Sequence, residues 1–338
     1  MPTHSPEFWA TVEAHDRLLK TKICLAESED TPCASPIIKA HTIPRSQLRK
    51  IARDGHVYTV SYSLADLHRT DGELAASTVG VNEFSVLNCF CGKHDKSIFA
   101  DLEDRPLTYS PKQIALLHYR AISAELYKKM NAVNISEHDI GSLAGTADKQ
   151  RKTMLRYLNY GQRLGFMDAS KAFQRAEQEL RSEGKGLRAL IIYFRSMPSV
   201  MAVGAFLPEF DYNSKALQTL GTEETCQGVT FNILASCERA ALCMTWLKEE
   251  AVPEAFAHSF LSQSPDLYTS LAIQTAFEHL ENTCVTPSWW DNLKRVEQQA
   301  LLLRMRMAGS MFEDRKSNCL SFSGIRHDDW QFDRYERV

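Results

Sequence analysis

The sequence predicts an α+β fold in which a cysteine- and histidine-rich N-terminal module precedes helices and a small antiparallel sheet covered by helices. Three observations support this prediction. Cysteines and histidines accompany short, irregular patterns in residues 21–105. Apolar residues recur at helical spacing in residues 111–130 and 146–182. Short apolar runs bounded by turn residues then fill residues 187–247, as is typical of antiparallel strands.

The composition excludes several classes of protein. The chain has 338 residues, of which 44% are apolar and 24% are charged, close to the average for globular proteins. A disordered chain, a collagen-like chain and a coiled-coil rod are therefore excluded. No stretch is apolar enough for a signal peptide or a membrane helix, so we expect a cytoplasmic protein without a membrane partner.

Changes in composition, charge and apolar pattern along the chain predict four segments. Residues 1–105 form the N-terminal module, and residues 111–185 form a basic helical connector. Residues 186–310 form an α+β domain for recognition, regulation or oligomerisation, and residues 311–338 form a polar tail. The sequence leaves open whether a protein partner or an oligomer is involved.

Two helices, a strand and a loop are predicted in the N-terminal module. Residues 1–20 have one apolar face and predict a helix. A brief helix follows Pro44, and the alternating residues 55–62 predict a strand. Residues 64–77 resemble a loop.

Longer elements follow. Ser110 and Pro111 are a typical helix start, and a second helical pattern covers residues 146–182. Helices are also predicted within residues 253–310. Strands are predicted in four apolar runs, at residues 187–194, 199–210, 229–236 and 240–247.

The nine cysteines indicate a metal site rather than disulfides, because their number is odd and four of them lie within the first 91 residues. Structural zinc is usually held by four Cys or His ligands delivered as two pairs. Cys91 and His94 form one close pair, and Cys24 with Cys33 forms a wider one. The alternative is four unrelated buried residues. Cys89 is a possible substitute ligand or a core residue of a strand.

The same region resembles the HNH endonucleases, whose nuclease core is a ββα-metal, treble-clef-like module. His41 is followed by Pro44, and Cys91-x-x-His94 is followed directly by Asp95. Upstream, a Gly-x-Asn turn precedes apolar residues spaced by three, at Phe84, Leu87 and Phe90. The resemblance covers residues 21–105, less than a third of the chain.

The resemblance implies metal-assisted hydrolysis of phosphodiester bonds. His41 would be the general base, and Asp95 would hold a catalytic Mg²⁺ or Mn²⁺ beside the structural Zn²⁺. Asn82 would orient the His41 ring or the hairpin, and Arg45 and Lys93 would bind flanking phosphates. Three of these residues have a plainer alternative role: His41 could be a capping or core histidine, Asp95 a helix cap and Asn82 an ordinary turn residue.

The sequence departs from the family pattern in three places. Ala40 stands where an acidic residue often precedes the histidine, and Asp95 replaces the usual last histidine. In addition, 49 residues separate His41 from Cys91, which implies an insertion.

The middle of the chain is the only basic segment. Residues 111–185 carry 13 basic and 8 acidic side chains in a protein of net charge −3. Lysines and arginines on one helix face can neutralise nucleic-acid phosphates, although a charged face is often simply solvated. Arg151, Lys152 and Arg156 are the candidate contacts.

Two functions from different classes are therefore predicted. The first is a metal-dependent endonuclease acting on DNA, with a role in bacterial phage defence as a further expectation from the domain arrangement. The second is a catalytically inactive, zinc-stabilised protein that binds nucleic acid or serves as a scaffold. The absence of an acidic residue before His41 favours the second.

Overall fold

The computed structural model describes residues 6–143, 148–308 and 314–338. It has an α+β architecture with a two-stranded ribbon, a long helical hairpin and an eight-stranded sheet. Residues 1–5, 144–147 and 309–313, which belong to the predicted N-terminal module, connector, α+β domain and tail, lie outside the described residues. Within the described ranges, no helix is both long enough and apolar enough to cross a membrane.

The N-terminal region alternates short helices and strands. Its elements are α1 (Pro6–Leu19), β1 (Ile37–His41), α2 (Arg45–Ile51), β2 (His56–Val60), α3 (Leu64–Arg69), β3 (Ala76–Gly80), β4 (Val86–Cys91) and α4 (Gly92–Glu103). The helix at the start, the helix after Pro44 and the strand at β2 are confirmed. The prediction of a loop at residues 64–77 was wrong for α3, because the Ser63 hydroxyl caps this helix by accepting from the Asp66 backbone N–H.

Strands β1 and β4 pair antiparallel and lead directly into α4. Ile37 lies opposite Cys91, and His41 lies opposite Val86. Helix α4 begins immediately after Cys91, so the ribbon and the helix form a continuous strand–strand–helix unit. This unit carries His41, Cys91, Lys93, His94 and Asp95 of the predicted site residues.

Two long helices follow, α5 (Pro111–Ser142) and α6 (Lys149–Arg181), and they pack against each other. Helix α5 begins as predicted, with the Ser110 hydroxyl accepting from the Gln113 N–H and with Pro111 in the first turn. Every residue from 113 to 124 is buried. A helix that is buried on all sides lies between other layers, and here α5 packs against the N-terminal region and the large sheet.

The large sheet is antiparallel throughout, with the strand order β10-β5-β8-β7-β6-β9-β2-β3. Its remaining strands are β5 (Leu187–Phe194), β6 (Val200–Phe206), β7 (Val229–Ser236), β8 (Arg239–Leu247), β9 (Thr283–Val285) and β10 (Phe332–Arg337). The four predicted strands are confirmed as β5 to β8.

Both faces of this sheet are covered. In β5, Ala189 and Ile191 join the core shared with α5, whereas Leu190 and Ile192 join a second core. Helices supply the other side of this second core: α7 (Ala251–Leu261), α8 (Tyr268–His279), α9 (Pro287–Asn292) and α10 (Arg295–Ala308). A short 3₁₀ turn, Pro265–Leu267, precedes α8.

The sheet draws strands from three of the four predicted segments. Strands β2 and β3 come from residues 1–105, β5 to β9 come from residues 186–310, and β10 comes from the predicted polar tail. The description of residues 311–338 as a polar tail was wrong for its described part, because Trp330 is only 1% exposed and β10 pairs with β5. The limits of the predicted segments do not coincide with the limits of the sheet.

Candidate metal centre

Four predicted zinc ligands meet at the start of α4. Cys24 lies in a segment that runs beside β4, where the Ile23 N–H donates to the Asn88 carbonyl. Cys33 lies in the loop before β1, Cys91 ends β4, and His94 lies in the first turn of α4. The ligand atoms of all four residues lie within 4.8 Å of one another. The structure therefore brings together the predicted Cys₃His set.

The distances in this cluster fit a tetrahedral zinc ion. The Nδ1 atom of His94 lies 3.2 Å from Cys24 Sγ, 3.4 Å from Cys91 Sγ and 3.9 Å from Cys33 Sγ. Zn–S bonds of about 2.3 Å and Zn–N bonds of about 2.0 Å at tetrahedral angles place nitrogen and sulfur roughly 3.5 Å apart. The cluster could hold a zinc ion, which would tie the loop before β1 to β4 and α4.

The surroundings of Cys91 favour its thiolate. Burial acts to raise the pKa of Cys91, but hydrogen bonds from the His94 backbone, from Ser35 and from the two neighbouring thiols lower it to about 7. Burial, together with the Cys24 and Cys91 thiols, raises the pKa of Cys33 instead. Several thiolates in such close contact repel one another, and a divalent cation would compensate their charge.

Cys89 lies outside this cluster. It is buried in the core shared with α5, and burial raises its pKa to about 12. A thiol of this kind behaves as a small apolar side chain. The candidate metal group in the described ranges contains Cys91 and omits Cys89, so Cys89 is not the substitute ligand that the sequence left open.

His41 ends β1 and is half-buried, and its ring is held by a backbone carbonyl. The Nε2 atom lies 2.9 Å from the Val81 carbonyl oxygen. An oxygen of this kind only accepts, so Nε2 carries the proton and Nδ1 keeps a lone pair. Asn82, which was predicted to orient this ring or the hairpin, accepts through its Oδ1 from Arg45 Nη1 at 3.3 Å. The neighbouring Val81 is therefore the residue that orients His41.

Asp95 follows His94 directly in the first turn of α4. Its Oδ1 atom is buried and has no hydrogen-bond partner among the residues that the structure describes. Burial raises the pKa of Asp95, while the charge of Arg120 lowers it, Glu103 raises it and His41 lowers it.

Sequence reasoning missed Arg120, which lies in the buried part of α5. Its guanidinium is 2.7 Å from Glu103 Oε1 and stacks over the Phe99 ring at 4.0 Å from the centroid. The available signal was a single arginine in the middle of a predicted helix whose residues around it are mostly apolar. A buried cation needs a charged partner, so this arginine could have been expected beside a carboxylate.

The predicted nucleic-acid contacts lie on three helices. Arg45 is on α2, Lys93 is on α4, and the remaining three, Arg151, Lys152 and Arg156, are in the first turns of α6. Lys93 is exposed, and its backbone N–H donates to the Ser35 hydroxyl at 2.7 Å. Arg151 and Arg156 are also exposed.

A cleft of about 300 Å³ opens beside the ribbon, between α5 and the large sheet. Thr42, Ser85, Glu125, Lys128 and Glu281 are among the residues that line it. His41 and Asp95 do not line this cleft. It is therefore separate from the two candidate catalytic groups.

Comparison with known proteins found no match for this chain. No protein-family profile, no curated protein and no solved structure is significantly similar to it. The candidate site accordingly rests on its own geometry: a Cys₃His cluster that could hold zinc, with His41 and Asp95 on the same strand–strand–helix unit.

Proposed function

We propose that this chain is a metal-dependent endonuclease of the HNH type that hydrolyses DNA. The observation that carries the proposal is the placement of His41 and Asp95 on one unit. His41 ends β1, β1 pairs with β4, and β4 runs through Cys91 into the helix that bears Asp95. Zinc at the Cys₃His cluster would hold this unit rigid, which suits a site that must position a water molecule and a phosphate.

In this proposal, His41 is the general base. The Val81 carbonyl accepts from Nε2, which leaves Nδ1 to take a proton from the attacking water. The water oxygen then bonds to phosphorus, the bond from phosphorus to the leaving sugar oxygen breaks, and that oxygen takes a proton from solvent water. The Val81 contact supports this role because it selects the ring tautomer that a base requires.

Asp95 is the proposed ligand for Mg²⁺ or Mn²⁺. Its buried Oδ1 has no partner among the described residues, and a carboxylate oxygen is the ligand that these ions prefer. Once bound, the cation supplies positive charge at the scissile phosphate. The half-buried position of Asp95 limits competition from bulk water.

Plasmid cleavage by the purified protein in Mg²⁺ or Mn²⁺ tests the proposal. We expect His41→Ala to slow cleavage by about 10²- to 10⁴-fold, the usual contribution of a general base. His56→Ala is the matched control, because His56 is exposed and its Nδ1 lies 2.7 Å from the local Asp54 carbonyl. Both variants should keep one zinc per chain. Equal cleavage by His41→Ala and wild type contradicts the proposal.

One observation favours a second candidate, a zinc-stabilised protein that binds nucleic acid without cutting it. The positive charge of Arg120 already acts on Asp95, and this charge competes with a divalent cation for the carboxylate. If so, the wild type binds DNA with unchanged affinity whether Mg²⁺ or a chelator that spares zinc is present, and it leaves plasmid uncut. Cation-dependent cleavage would exclude this candidate.

A further inference from the structure

A second cluster of metal-binding side chains lies where α1 meets the last turns of α5. The Nε2 atom of His15 is 2.8 Å from Asp139 Oδ1, and His138 Nδ1 is 3.3 Å from the same oxygen. The two imidazole rings meet edge to face, with centroids 6.2 Å apart. One ligand atom from each residue lies within 4.8 Å of the other two. This cluster contains none of the Cys₃His ligands.

We propose that His15, His138 and Asp139 form a second metal site, which takes Zn²⁺ or a similar transition metal. Two imidazoles and one carboxylate select this class of ion, whereas Mg²⁺ and Ca²⁺ prefer all-oxygen ligands. Bonds of about 2.0–2.2 Å from tetrahedral zinc to nitrogen and oxygen place the ligand atoms roughly 3.4 Å apart. The two separations from Asp139 Oδ1, 2.8 Å and 3.3 Å, lie near this value, and the two imidazole nitrogens lie within 4.8 Å of each other.

The exposure of the three side chains predicts an open coordination position. His15 is 17% exposed and Asp139 25%, so both are held within the helix junction, whereas His138 is 43% exposed. Three protein ligands and one water are the usual arrangement of an accessible zinc ion, unlike the closed set of four at the cysteine cluster.

The backbone around the cluster is already fixed. The Leu19 carbonyl at the end of α1 accepts from Tyr127 Oη at 3.1 Å and from Asn131 Nδ2 at 3.2 Å. His15 lies about one turn before Leu19, so α1 can present its imidazole to Asp139 without rearrangement. A metal at this site ties the N-terminal helix to α5, whatever reaction the chain performs.

Metal stoichiometry of the full chain, purified without a histidine tag, tests this site. Protein carrying one Zn²⁺ per chain is titrated with Zn²⁺ by calorimetry and, in parallel, with Co²⁺ by visible absorption. We expect a second equivalent whose Co²⁺ spectrum lacks the intense charge-transfer bands of thiolate ligands. Binding of this equivalent should raise the melting temperature.

Three variants and one control separate the outcomes. His15→Gln and His138→Gln should each weaken the second equivalent at least about 100-fold, because even a residue outside the ligand set costs about 10- to 100-fold. Asp139→Asn, which keeps an acceptor oxygen, should also weaken it. His56→Gln should bind two equivalents. A wild type that binds one equivalent, or a His138→Gln variant that still binds two, overturns the proposal, and retention of the first zinc shows that a variant is folded.

Discussion

At the scale of single residues, the most consequential side chain is one that the sequence did not single out. Arg120 is 3% exposed, whereas its partner Glu103 is 31% exposed. The two members of this ion pair are therefore unequal. Removal of Glu103 leaves the buried positive charge of Arg120 without its partner. Removal of Arg120 instead leaves a carboxylate that water can still solvate.

This asymmetry predicts an order of stabilities. Glu103→Gln should lower the free energy of unfolding by about 3 kcal/mol, because it leaves the buried Arg120 charge with less compensation. Arg120→Met removes the buried charge itself and should cost only about 1 kcal/mol. Urea unfolding of both variants at pH 7 measures their free energies of unfolding. A larger decrease for Arg120→Met than for Glu103→Gln would show that the ion pair contributes more free energy than desolvation of its charges costs.

At the scale of elements, the Cys₃His cluster brings the segment of Cys24 and the loop of Cys33 to the junction of β4 and α4. The loop containing Cys33, the end of β4 and the first turn of α4 converge there. Metal binding at such a site contributes directly to folding.

Zinc removal should therefore destabilise the N-terminal region. We expect Cys91→Ala to lose the bound zinc and to lower the melting temperature, as a strong chelator does to the wild type. Cys89→Ala is the matched control two residues away, because it removes a buried thiol outside the cluster. It should retain one zinc per chain by elemental analysis. Loss of zinc from both variants would mean that the cluster includes Cys89.

The basic start of α6 gives a second prediction at this scale. If Arg151 and Arg156 contact DNA phosphates, the double change to Gln should reduce the slope of log affinity against log salt by about 2, since each phosphate contact contributes about 0.9. Arg295→Gln, at the exposed start of α10, should leave the slope unchanged. Fluorescence anisotropy with a short duplex measures all three proteins, and an unchanged slope in the double variant excludes this contact.

Much of the local structure could be predicted from the sequence, and so could the Cys₃His cluster. The strands β5 to β8 are apolar runs between turn residues, and Cys91 with His94 has the spacing of a ligand pair. The long-range partners could not be predicted. Nothing near Tyr58 indicates that it pairs with Val285, and nothing near Asn82 indicates that Val81, not Asn82, holds the His41 ring. Such contacts depend on how distant segments pack.

At the scale of the whole molecule, burial also acts on histidines outside the candidate site, and His118 and His327 are buried. Burial lowers the pKa of His118 and of His327 to about 4. Burial, assisted by two arginines, also lowers the pKa of His279 well below its usual value. In the unfolded chain these groups take up protons near pH 6.5, so acid favours unfolding.

His118 offers a clean measurement of this effect. Between pH 7 and pH 5 the unfolded chain protonates His118 and the folded chain does not, which costs the wild type about 2 kcal/mol. This proton uptake is absent from His118→Gln, so the difference in free energy of unfolding between wild type and variant should shrink by about 2 kcal/mol from pH 7 to pH 5. Other titrating groups affect both proteins equally and cancel in the comparison. Glu250, whose pKa burial raises to about 7, is one of them. A constant difference across this range would show that His118 is solvated.

The pairing of β2 with β9 has a consequence for synthesis of the chain. The β2–β3 hairpin belongs to the first quarter of the sequence, but its sheet neighbour is Thr283–Val285, near the other end. During synthesis, the Cys₃His residues and the β2–β3 hairpin leave the ribosome long before residues 283–285 are made. Until then β2 has a free edge, and a free strand edge can pair wrongly with another chain.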